Sequence, residues 1–526
     1  MSLSRGCTVA SRRWLFRLLL LIGAIPAKER VVPGESHCLA TDAPREIGSR
    51  VQLLVDDWLI ASRPGLERVL QPARKAEGGL PIRVWQRRAD GTRQPLLASV
   101  YASPLYDAQR RVFRLWSRVF PGLPEGTALE GSAVHRHMRY GYSESVDGVN
   151  FDFVQELQGL QSNGDYNSVV TLDAHEPDPA HRYKIGYDGA QPGETNGACL
   201  AHSADGIHWI PYNGGKPVTG RAADFTNCLV WDDAARVYRL FTRTDYGTGG
   251  GPGEIRGMRM MVNRDVKARP TDWQTVHEWQ FDQQGPEEHH RRQIYTMTDW
   301  MHHGIHFGLF SVYEWPNDFR EGRETDHQKR HERDVLNYYI ATSRDAVHWD
   351  LQWIQRGMPF VERGGDGAWD KDLILPANWI VTRDDGHWVY YGGANERHGT
   401  AGLFQPKRSW GIGLARLPRD RFVSLQAGAE PAELQTRPLV FHGDRLVLNG
   451  VTEAGGDIRV EMQDTAGRVL PGHALADCAP LAGDHLAHTV HWKSGADVRR
   501  WQGEVVRLRI VVRQAQLFSL QFLPRD

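Results

Sequence analysis

Residues 201–209 read Ala-His-Ser-Ala-Asp-Gly-Ile-His-Trp, and the fold can be predicted from the recurrence of this motif. The Asp-Gly pair favours a tight turn between two strands, and the final aromatic residue is expected to pack between neighbouring repeats. Related motifs occupy residues 142–151 and 341–349, and a degenerate copy ends in Asp272-Trp273. The motif aspartates Asp147, Asp205, Asp265 and Asp345 lie 58, 60 and 80 residues apart. Such a period, with four strands in each repeat, is typical of β-propeller blades.

A hairpin is associated with each turn motif. It consists of an apolar strand, an Asp, a short turn and an aromatic-rich strand, a composition that favours β-structure. The clearest copies are residues 99–116, 167–187 and 226–241, with two more hairpins at residues 293–310 and 373–391. Repeats therefore start near residues 95, 162, 222, 290 and 370, which predicts five blades; a sixth stays open if residues 51–85 form a fuller unit. The strands at residues 51–55 and 411–415 flank the set and are expected to close the ring.

The pattern changes after residue 417. Short alternating strands such as residues 445–449 and 505–512 follow at spacings of about 8 to 12 residues, which is typical of a β-sandwich. No helix longer than about two turns is predicted. The sequence thus predicts an all-β protein with a five-bladed β-propeller over residues 48–417 and a C-terminal β-sandwich over residues 418–526.

The charge composition argues against a nucleic-acid partner. The 526 residues contain 63 Lys and Arg against 64 Asp and Glu, without a long run of one sign. A nucleic-acid binder is expected to carry a basic patch. The five cysteines are too scattered for a disulfide framework or a cysteine zinc site.

The first 27 residues have the composition of a secretory signal peptide. Arginines precede the apolar run 18–25, which is too short to span a bilayer, and Ala27 ends a cleavage-site motif. Arg12-Arg13 followed by Trp-Leu-Phe is similar to a twin-arginine export signal. We therefore expect residues 1–27 to be removed and the mature protein to be secreted or periplasmic, with no membrane partner.

The repeats, the leader and the element Val55-Asp56-Asp57-Trp58-Leu59-Ile60 together resemble the superfamily of propeller glycoside hydrolases that contains families 32, 43 and 68. The Ser-x-Asp-Gly-x-x-Trp motifs and the tail from Gly472-His473 to Trp492 are similar to a secreted bacterial subgroup described as family-32-like. The resemblance covers residues 48–526 and implies a carbohydrate substrate. The family-32 signatures Trp-Met-Asn-Asp-Pro-Asn-Gly, Arg-Asp-Pro and Glu-Cys are absent from the sequence, so no invertase-type residue is assigned by motif.

Hydrolysis of a glycosidic bond needs two carboxyl groups that face one anomeric carbon. In the resembling superfamily these groups lie at the start of the innermost strands of successive blades. Asp165 and Asp224 stand at these positions, each before an aromatic residue and an Asn, and we predict that they are catalytic. Asp370, before the fifth inner strand, and Glu314, at the end of a fourth-blade strand, are further catalytic candidates, with Glu314 as proton donor. The alternative for each is a structural carboxylate that caps a turn or a strand end.

Further residues are predicted to bind the substrate. Alternation along a strand would place Asp372 on the same side as Asp370, and Asp57 would supply a first-blade carboxylate, as an early Asp does in the resembling families. Aromatic rings such as Trp300 and Trp369 are expected to stack on sugar faces. The predicted substrate-binding residues are Asp57, Asn167, Asn227, Tyr295, Trp300, Trp369, Asp372 and His398.

Neither a cofactor nor a metal site is predicted. His289-His290 and His302-His303 both lack the i, i+4 spacing of a helical zinc site, and adjacent residues of a strand point to opposite faces. The Gly-rich stretch 247–251 lacks the Lys-Ser/Thr of a phosphate-binding loop.

The sequence thus predicts a secreted glycoside hydrolase that cleaves a polysaccharide or oligosaccharide by a two-carboxylate mechanism in the propeller funnel. A non-catalytic carbohydrate-binding propeller is the first alternative. A polysaccharide lyase is the second, with Tyr166, Tyr295 or His398 as the base. The sugar, the linkage, the stereochemical outcome and the oligomeric state are left open by the sequence.

Overall fold

The computed structural model describes residues 43–123, 137–160, 167–189, 197–220, 226–244, 256–281, 292–314, 335–395, 397 and 410–524. Over these residues the chain is almost entirely β-structure, as predicted. The longest α-helix that lies wholly within them is Gln352–Gln355. No helix in this part of the chain is long and apolar enough to cross a membrane. The predicted signal peptide, residues 1–27, lies outside the described residues.

Five antiparallel units follow one another along the chain between residues 98 and 417. Unit 1 contains Ala98–Asp107, Val112–Val119, Arg139–Ser145 and Asn150–Glu156, and it is extended by Arg83–Arg87 and Arg93–Leu96. Unit 2 contains Val169–Leu172, Tyr183–Gly189, Gly197–Ser203 and Ile210–Pro211. Unit 3 contains Cys228–Asp232, Val237–Arg243, Met258–Asn263 and Gln274–Trp279.

Units 4 and 5 share one nine-stranded sheet, because a single parallel pair, Leu336 with Leu373, joins them. Unit 4 contains Gln293–His302, Ile305–Glu314, Val335–Ser343 and Trp349–Asp350. Unit 5 contains Leu373–Pro376, Gly386–Ala394 and Trp410–Leu417, with Val381–Arg383 paired to its second strand and Arg74–Lys75 paired to its third. None of the sheets formed by the described strands closes on itself.

The N-terminal strands differ from their predicted place. Gln52–Leu53 pairs with Ser519 and Leu520 of the last strand, so residues 51–55 do not flank Gly411–Ala415 as the sequence suggested. The strand beside Trp410–Leu417 is instead Arg74–Lys75. The physical reason is apolar burial: residues 47–66 bury side chains in the core of the C-terminal sheet. These are Ile47, Leu54, Leu59, Ile60 and Leu66.

The C-terminal module is an eight-stranded sheet built on the long strand Arg507–Leu523, which pairs with four other strands. Its other strands are Val423–Ala427, Ala432–Thr436, Arg445–Gln463 and Asp484–Thr489, together with the N-terminal Gln52–Leu53, Ile60–Ser62 and Glu67–Leu70. Arg45–Gly48 pairs separately with Leu439–Phe441. The strand pairing therefore places residues 45–70 with the C-terminal module, whereas the predicted boundary assigned residues from 48 onward to the propeller.

The turn motif has one hydrogen-bonding pattern in three units. In unit 2, Ser203 Oγ accepts from the N–H groups of Asp205 and Gly206, and Asp205 Oδ1 accepts from the next two N–H groups. Ser145 with Asp147 and Ser343 with Asp345 repeat these contacts. Because four consecutive N–H groups of each turn are satisfied by its own Ser and Asp side chains, the motif has a structural role.

Equivalent contacts join unit 1 to unit 2 and unit 5 to unit 1. Trp116, on the second strand of unit 1, donates its indole N–H to Gly206 O in the turn of unit 2 at 2.7 Å. Tyr390, on the second strand of unit 5, donates to Gly148 O in the turn of unit 1, also at 2.7 Å. The second strand of unit 5 thus contacts the turn of unit 1 in the same way as the second strand of unit 1 contacts the turn of unit 2.

Candidate functional site

The starts of the first strands of units 2 and 3 meet at a buried carboxylate, Asp188. Asn167 Nδ2 donates to Asp188 Oδ2 at 2.6 Å, and Asn227 Nδ2 donates to Asp188 Oδ1 at 2.8 Å. Asp188 and Asn227 have no exposed surface, and Asn167 is 1% exposed. Both asparagines were predicted from the sequence as site residues, and the structure brings them together on one anion.

The register of unit 2 places Asp188 opposite Asn167. Val169 pairs with Gly186 in the antiparallel hairpin, so two residues further out residue 167 faces residue 188. Gly186 also allows unit 3 to approach, because a Cβ on this residue would lie 2.0 Å from the carbonyl oxygen of Asn227. A close backbone contact of this kind is possible only at glycine. The asparagine of unit 3 therefore reaches a carboxylate of unit 2.

Hydrogen bonds extend from this carboxylate in both directions. Arg118, on the second strand of unit 1, donates to Asn167 Oδ1 at 2.6 Å, and Thr242, on the second strand of unit 3, donates to Asn227 Oδ1 at 2.8 Å. These contacts orient both amides. Each amide oxygen accepts from Arg118 or Thr242, and each NH2 group donates to Asp188. The result is a buried network across three units whose one described anion is Asp188.

Two tyrosines connect unit 1 to unit 4. The hydroxyl groups of Tyr101 and Tyr295 lie 2.9 Å apart, and both residues sit near the start of the first strand of their unit. Tyr101 has a φ of +61°, and the pairing of its strand with the next shifts register between Ser99 and Ser103. A left-handed aromatic residue at a bulge costs free energy, so the surroundings must hold it in place. Tyr140 contributes by donating to the carbonyl oxygen of Tyr101 at 2.8 Å.

Arginine side chains contact Tyr101, Tyr295 and a further tyrosine of unit 4, Tyr313. The Arg118 guanidinium lies 4.3 Å from the centre of the Tyr101 ring, and that of Arg256 lies 5.1 Å from the centre of the Tyr313 ring. Arg243 donates to the carbonyl oxygen of Tyr295. Tyr101, Tyr295, Arg118 and Arg243 are all buried, so these contacts belong to the packing between units.

Asp370 is buried beside unit 5 and forms an ion pair. Lys75 Nζ lies 2.6 Å from Asp370 Oδ2, and the Tyr391 hydroxyl donates to the same oxygen at 3.0 Å. Burial, together with the adjacent carboxylate, raises the pKa of Tyr391. Trp369 stacks on Tyr391 and donates its indole N–H to Gly79 O at 2.7 Å. These contacts fasten the N-terminal strand to unit 5; a catalytic role for Asp370 stays a prediction.

The first strand of unit 5 begins at Leu373, so Asp370 and Asp372 lie in the turn before this strand. The strand alternation that was used to place the two carboxylates on one side therefore does not apply. Asp370 contacts Lys75, whereas Asp372 has Lys371 Nζ at 3.8 Å.

Glu314 accepts hydrogen bonds from three neighbours in unit 4. Asn337 Nδ2 donates at 2.6 Å, the Tyr339 hydroxyl donates at 2.5 Å, and the Arg292 guanidinium pairs with the other oxygen. Burial and the adjacent Glu314 raise the pKa of Tyr339, which keeps the phenol a donor. Both carboxylate oxygens of Glu314 are therefore occupied by neighbouring side chains. The proton-donor role predicted for Glu314 stays a prediction.

Two predicted substrate-binding residues lie away from the Asp188 network. Trp300 is near the far end of the ten-residue strand that starts at Gln293, and its ring stacks on His302 at 4.7 Å inside the apolar core. Asp57 pairs with Arg63 and Arg68. Although burial opposes it, this pairing lowers the pKa of Asp57. The structure brings neither residue together with Asn167 and Asn227.

Other predicted residues are not described. Asp165, Asp224 and His398 lie outside the described residues, as does Tyr166. Asp188, Arg118 and Tyr101 are site residues that the sequence reasoning missed. Extending the hairpin register of unit 2 by two residues would have found Asp188 as the partner of Asn167.

A second polar cluster lies at the end of the unit 4 hairpin. His302 Nε2 and His303 Nε2 lie 2.7 and 3.2 Å from Asp420 Oδ1. The sequence argument that adjacent histidines point apart is wrong at this pair. His303 lies in the turn, outside the strand that ends at His302, and has a φ of +49°, so its side chain is directed to the same carboxylate.

No family model matches the chain, and no curated protein matches it. Among solved structures, a glycoside hydrolase is 12% identical, with a TM-score of 0.42, over 66% of this chain and 94% of its own. A family 43 arabinoxylan arabinofuranohydrolase from Bacillus subtilis is 11% identical, with a TM-score of 0.34, over 81% and 96%. The family 32 β-fructofuranosidase of Bombyx mori is 10% identical, with a TM-score of 0.36, over 87% and 95%. Because these TM-scores are below 0.5, the function proposed below rests on the residues of this chain.

Proposed function

We propose that the five units form a five-bladed β-propeller and that the C-terminal module is a β-sandwich completed by the N-terminal strands. Two sets of equivalent contacts support the ring. Gly186 of unit 2 packs on Asn227 of unit 3, and Gly392 of unit 5 packs on Val100 of unit 1, where a Cβ would lie 2.4 Å from the valine. Together with the Trp116 and Tyr390 contacts, this is expected if unit 1 follows unit 5 around a common axis.

On this architecture the protein is a glycoside hydrolase that cleaves a polysaccharide or oligosaccharide. The observation that carries the proposal is the Asp188 bridge between Asn167 and Asn227. Asp165 precedes Asn167 by two residues, and Asp224 precedes Asn227 by three. The bridge thus ties together the two chain segments that carry the proposed catalytic carboxyl groups, and glycosidic hydrolysis needs two such groups at one bond.

The buried network has the role of a rigid support. Asp188 does not face the sugar in this proposal, because it has no exposed surface. It positions the two segments, while Arg118 and Thr242 orient the asparagines that hold it. Positioning within a fraction of an ångström is worth several orders of magnitude in rate, so the support is essential for catalysis.

Export is a part of the proposal that rests on the sequence alone. The arginines before the apolar run 18–25 are the features of a signal peptide. A secreted hydrolase would meet polymeric substrates that do not enter the cell.

The test is an assay of the mature protein on a panel of polysaccharides and aryl glycosides, with release of reducing sugar or aglycone as the readout. Asp165→Asn and Asp224→Asn are expected to lower kcat at least 100-fold with little change in thermal midpoint. The matched control is Asp173→Asn, a buried aspartate of unit 2 beyond the opposite end of the same strand, paired with Lys184 at 2.9 Å. Activity retained in both variants would place the chemistry elsewhere. Sugar binding without turnover by the wild type would favour the carbohydrate-binding alternative.

A further inference from the structure

Three side chains converge where the hairpin of unit 4 meets the linker to the C-terminal module. His302 and His303 come from the hairpin, and Asp420 lies between Trp410–Leu417 and Val423–Ala427. One ligand atom from each residue lies within 4.8 Å of the other two. The cluster thus offers two imidazole nitrogens and one carboxylate oxygen as donor atoms. Divalent transition metals bind to such a set of nitrogen and oxygen ligands.

The backbone is bent to make this convergence. His303 and Gly304 have φ values of +49° and +75°, which is the pattern of a two-residue type I′ hairpin turn, and Asp420 has a φ of +62°. The imidazole rings of His302 and His303 lie 4.0 Å apart as a result. Non-glycine residues adopt such φ values at a cost in free energy, so two of them at one cluster indicate a geometry that the fold maintains.

We propose that His302, His303 and Asp420 bind a divalent transition metal ion, with Zn²⁺ as the best fit, and that the ion fastens the unit 4 hairpin to the linker. Zinc binds imidazole nitrogen and carboxylate oxygen at about 2.0–2.2 Å, so donor atoms of a tetrahedral site lie a little over 3 Å apart. The distances of 2.7 and 3.2 Å to Asp420 Oδ1 need only a small rearrangement to reach that geometry. Water completes the coordination from the side of His303, which is 22% exposed.

Neighbouring groups hold two of the three ligands, Asp420 and His302, in place. The Asp420 N–H donates to His387 Nε2 at 2.9 Å, and His387 Nδ1 lies 2.9 Å from the Thr382 hydroxyl. Trp300 stacks on the ring of His302 with the two planes 13° apart. Outer contacts of this kind fix ligand orientation in metal sites.

The site is independent of the proposed hydrolase site. Its histidines are at the end of the strand Gln293–His302, whereas Tyr295 lies near the start. Seven residues of extended strand separate Tyr295 from His302, which is roughly 23 Å. An ion here would stabilise the junction of the modules without taking part in the reaction.

The test uses the full mature chain treated with a chelator and then titrated with Zn²⁺ by calorimetry, with the thermal midpoint measured in parallel. One ion per chain is expected to bind and to raise the midpoint. His303→Ala, at the most exposed ligand, is expected to weaken binding at least 100-fold and to abolish the shift. The control is His485→Ala/His488→Ala, which removes a histidine pair on the strand Asp484–Thr489, with rings 5.1 Å apart.

A second measurement keeps the proposal testable if the variant folds poorly. Co²⁺ bound to the wild type should give the visible absorption of a nitrogen and oxygen site, without the intense near-ultraviolet band of cysteine ligation. Absence of stoichiometric binding to the wild type would overturn the proposal. Binding that survives in His303→Ala and is lost in the control would overturn it as well.

Discussion

Asn227 donates its side-chain amide to Asp188 at 2.8 Å, although the two residues are 39 positions apart and belong to different units. The contact depends on Gly186, two residues before Asp188 on the same strand, since the backbone of Asn227 occupies the space that a side chain would need there. This hydrogen bond therefore depends on close packing of units 2 and 3, and it joins the parts of the candidate site that the two units contribute.

Gly186→Ala is expected to separate units 2 and 3. The new Cβ would lie 2.0 Å from the Asn227 carbonyl oxygen, and backbone, unlike the end of a flexible side chain, cannot yield easily. We expect a loss of more than about 2 kcal/mol in the free energy of unfolding, as for overpacked core sites, together with loss of activity. Gly428→Ala is the control, because a Cβ there has no atom within 4 Å. Equal denaturation curves for the two variants would contradict this account of the contact.

Asp188→Asn is expected to remove activity while the protein stays folded. An amide at residue 188 would place a donor against one of the two asparagine donors, which costs about 1–3 kcal/mol for a buried unsatisfied group. We expect kcat to fall at least 100-fold, since the segments that carry Asp165 and Asp224 lose their common support. Asp173→Asn, which disturbs the pair with Lys184, should lose similar stability and keep kcat within a few-fold. If both variants lose kcat equally, the effect of Asp188 is one of stability alone.

The sequence predicted the all-β class and the unit starts, because hairpin composition and turn motifs are local. It also selected Asn167 and Asn227, since an Asp followed by an aromatic residue and, within three positions, an Asn recurs at two successive starts. The Asp188 bridge was missed, because it depends on strand register and on contact between units. The prediction from strand alternation was also wrong at His303. This residue lies in the turn with a left-handed backbone conformation, which redirects its side chain.

Two further contacts could not be predicted from the sequence, because they depend on how distant parts of the chain come together. Trp300 and Tyr295 share one strand, yet only Tyr295 reaches a residue of unit 1. The pair of Lys75 with Asp370 joins residues 295 positions apart, and nothing local in the sequence indicates it.

Lys75→Met is expected to loosen the N-terminal strand from unit 5. The substitution leaves Asp370, whose side chain is 2% exposed, without its cation, and the remaining partner is the Tyr391 hydroxyl. Removing one partner of a buried ion pair costs about 3–5 kcal/mol, so a clear fall in thermal midpoint should follow. Lys371→Met is the matched control. Lys371 is 38% exposed and its Nζ is 3.8 Å from Asp372, a distant and solvent-screened pair worth at most about 1 kcal/mol. Similar midpoints for both variants would show that Lys75 does not fasten this strand.

Glu176 is expected to make the stability of the junction between units 2 and 3 depend on pH. Its carboxylate lies 3.1 Å from Lys184 of unit 2 and 2.9 Å from Lys267 of unit 3. Burial alone would raise the pKa of this carboxyl, but hydrogen bonds from Lys267, the Asp178 N–H and Lys184 outweigh it and lower the pKa of Glu176 from 4.5 to about 2. A carboxyl whose pKa is lower in the folded state stabilises that state above its unfolded pKa, and the contribution disappears as pH falls through the folded pKa.

The wild type should therefore exceed Glu176→Gln in free energy of unfolding by up to about 3 kcal/mol at pH 6 to 7, at 1.4 kcal/mol per pKa unit. The difference should shrink between pH 4.5 and pH 2, because protonation of the wild-type carboxyl removes the same charge that the substitution removes. Chemical denaturation of both proteins across this range measures it, with Glu504→Gln, at an exposed residue of the C-terminal module, as the control. A difference that stays constant from pH 7 to pH 2 would contradict this prediction, because a contribution that depends on the charge of Glu176 must fall as its carboxyl group is protonated.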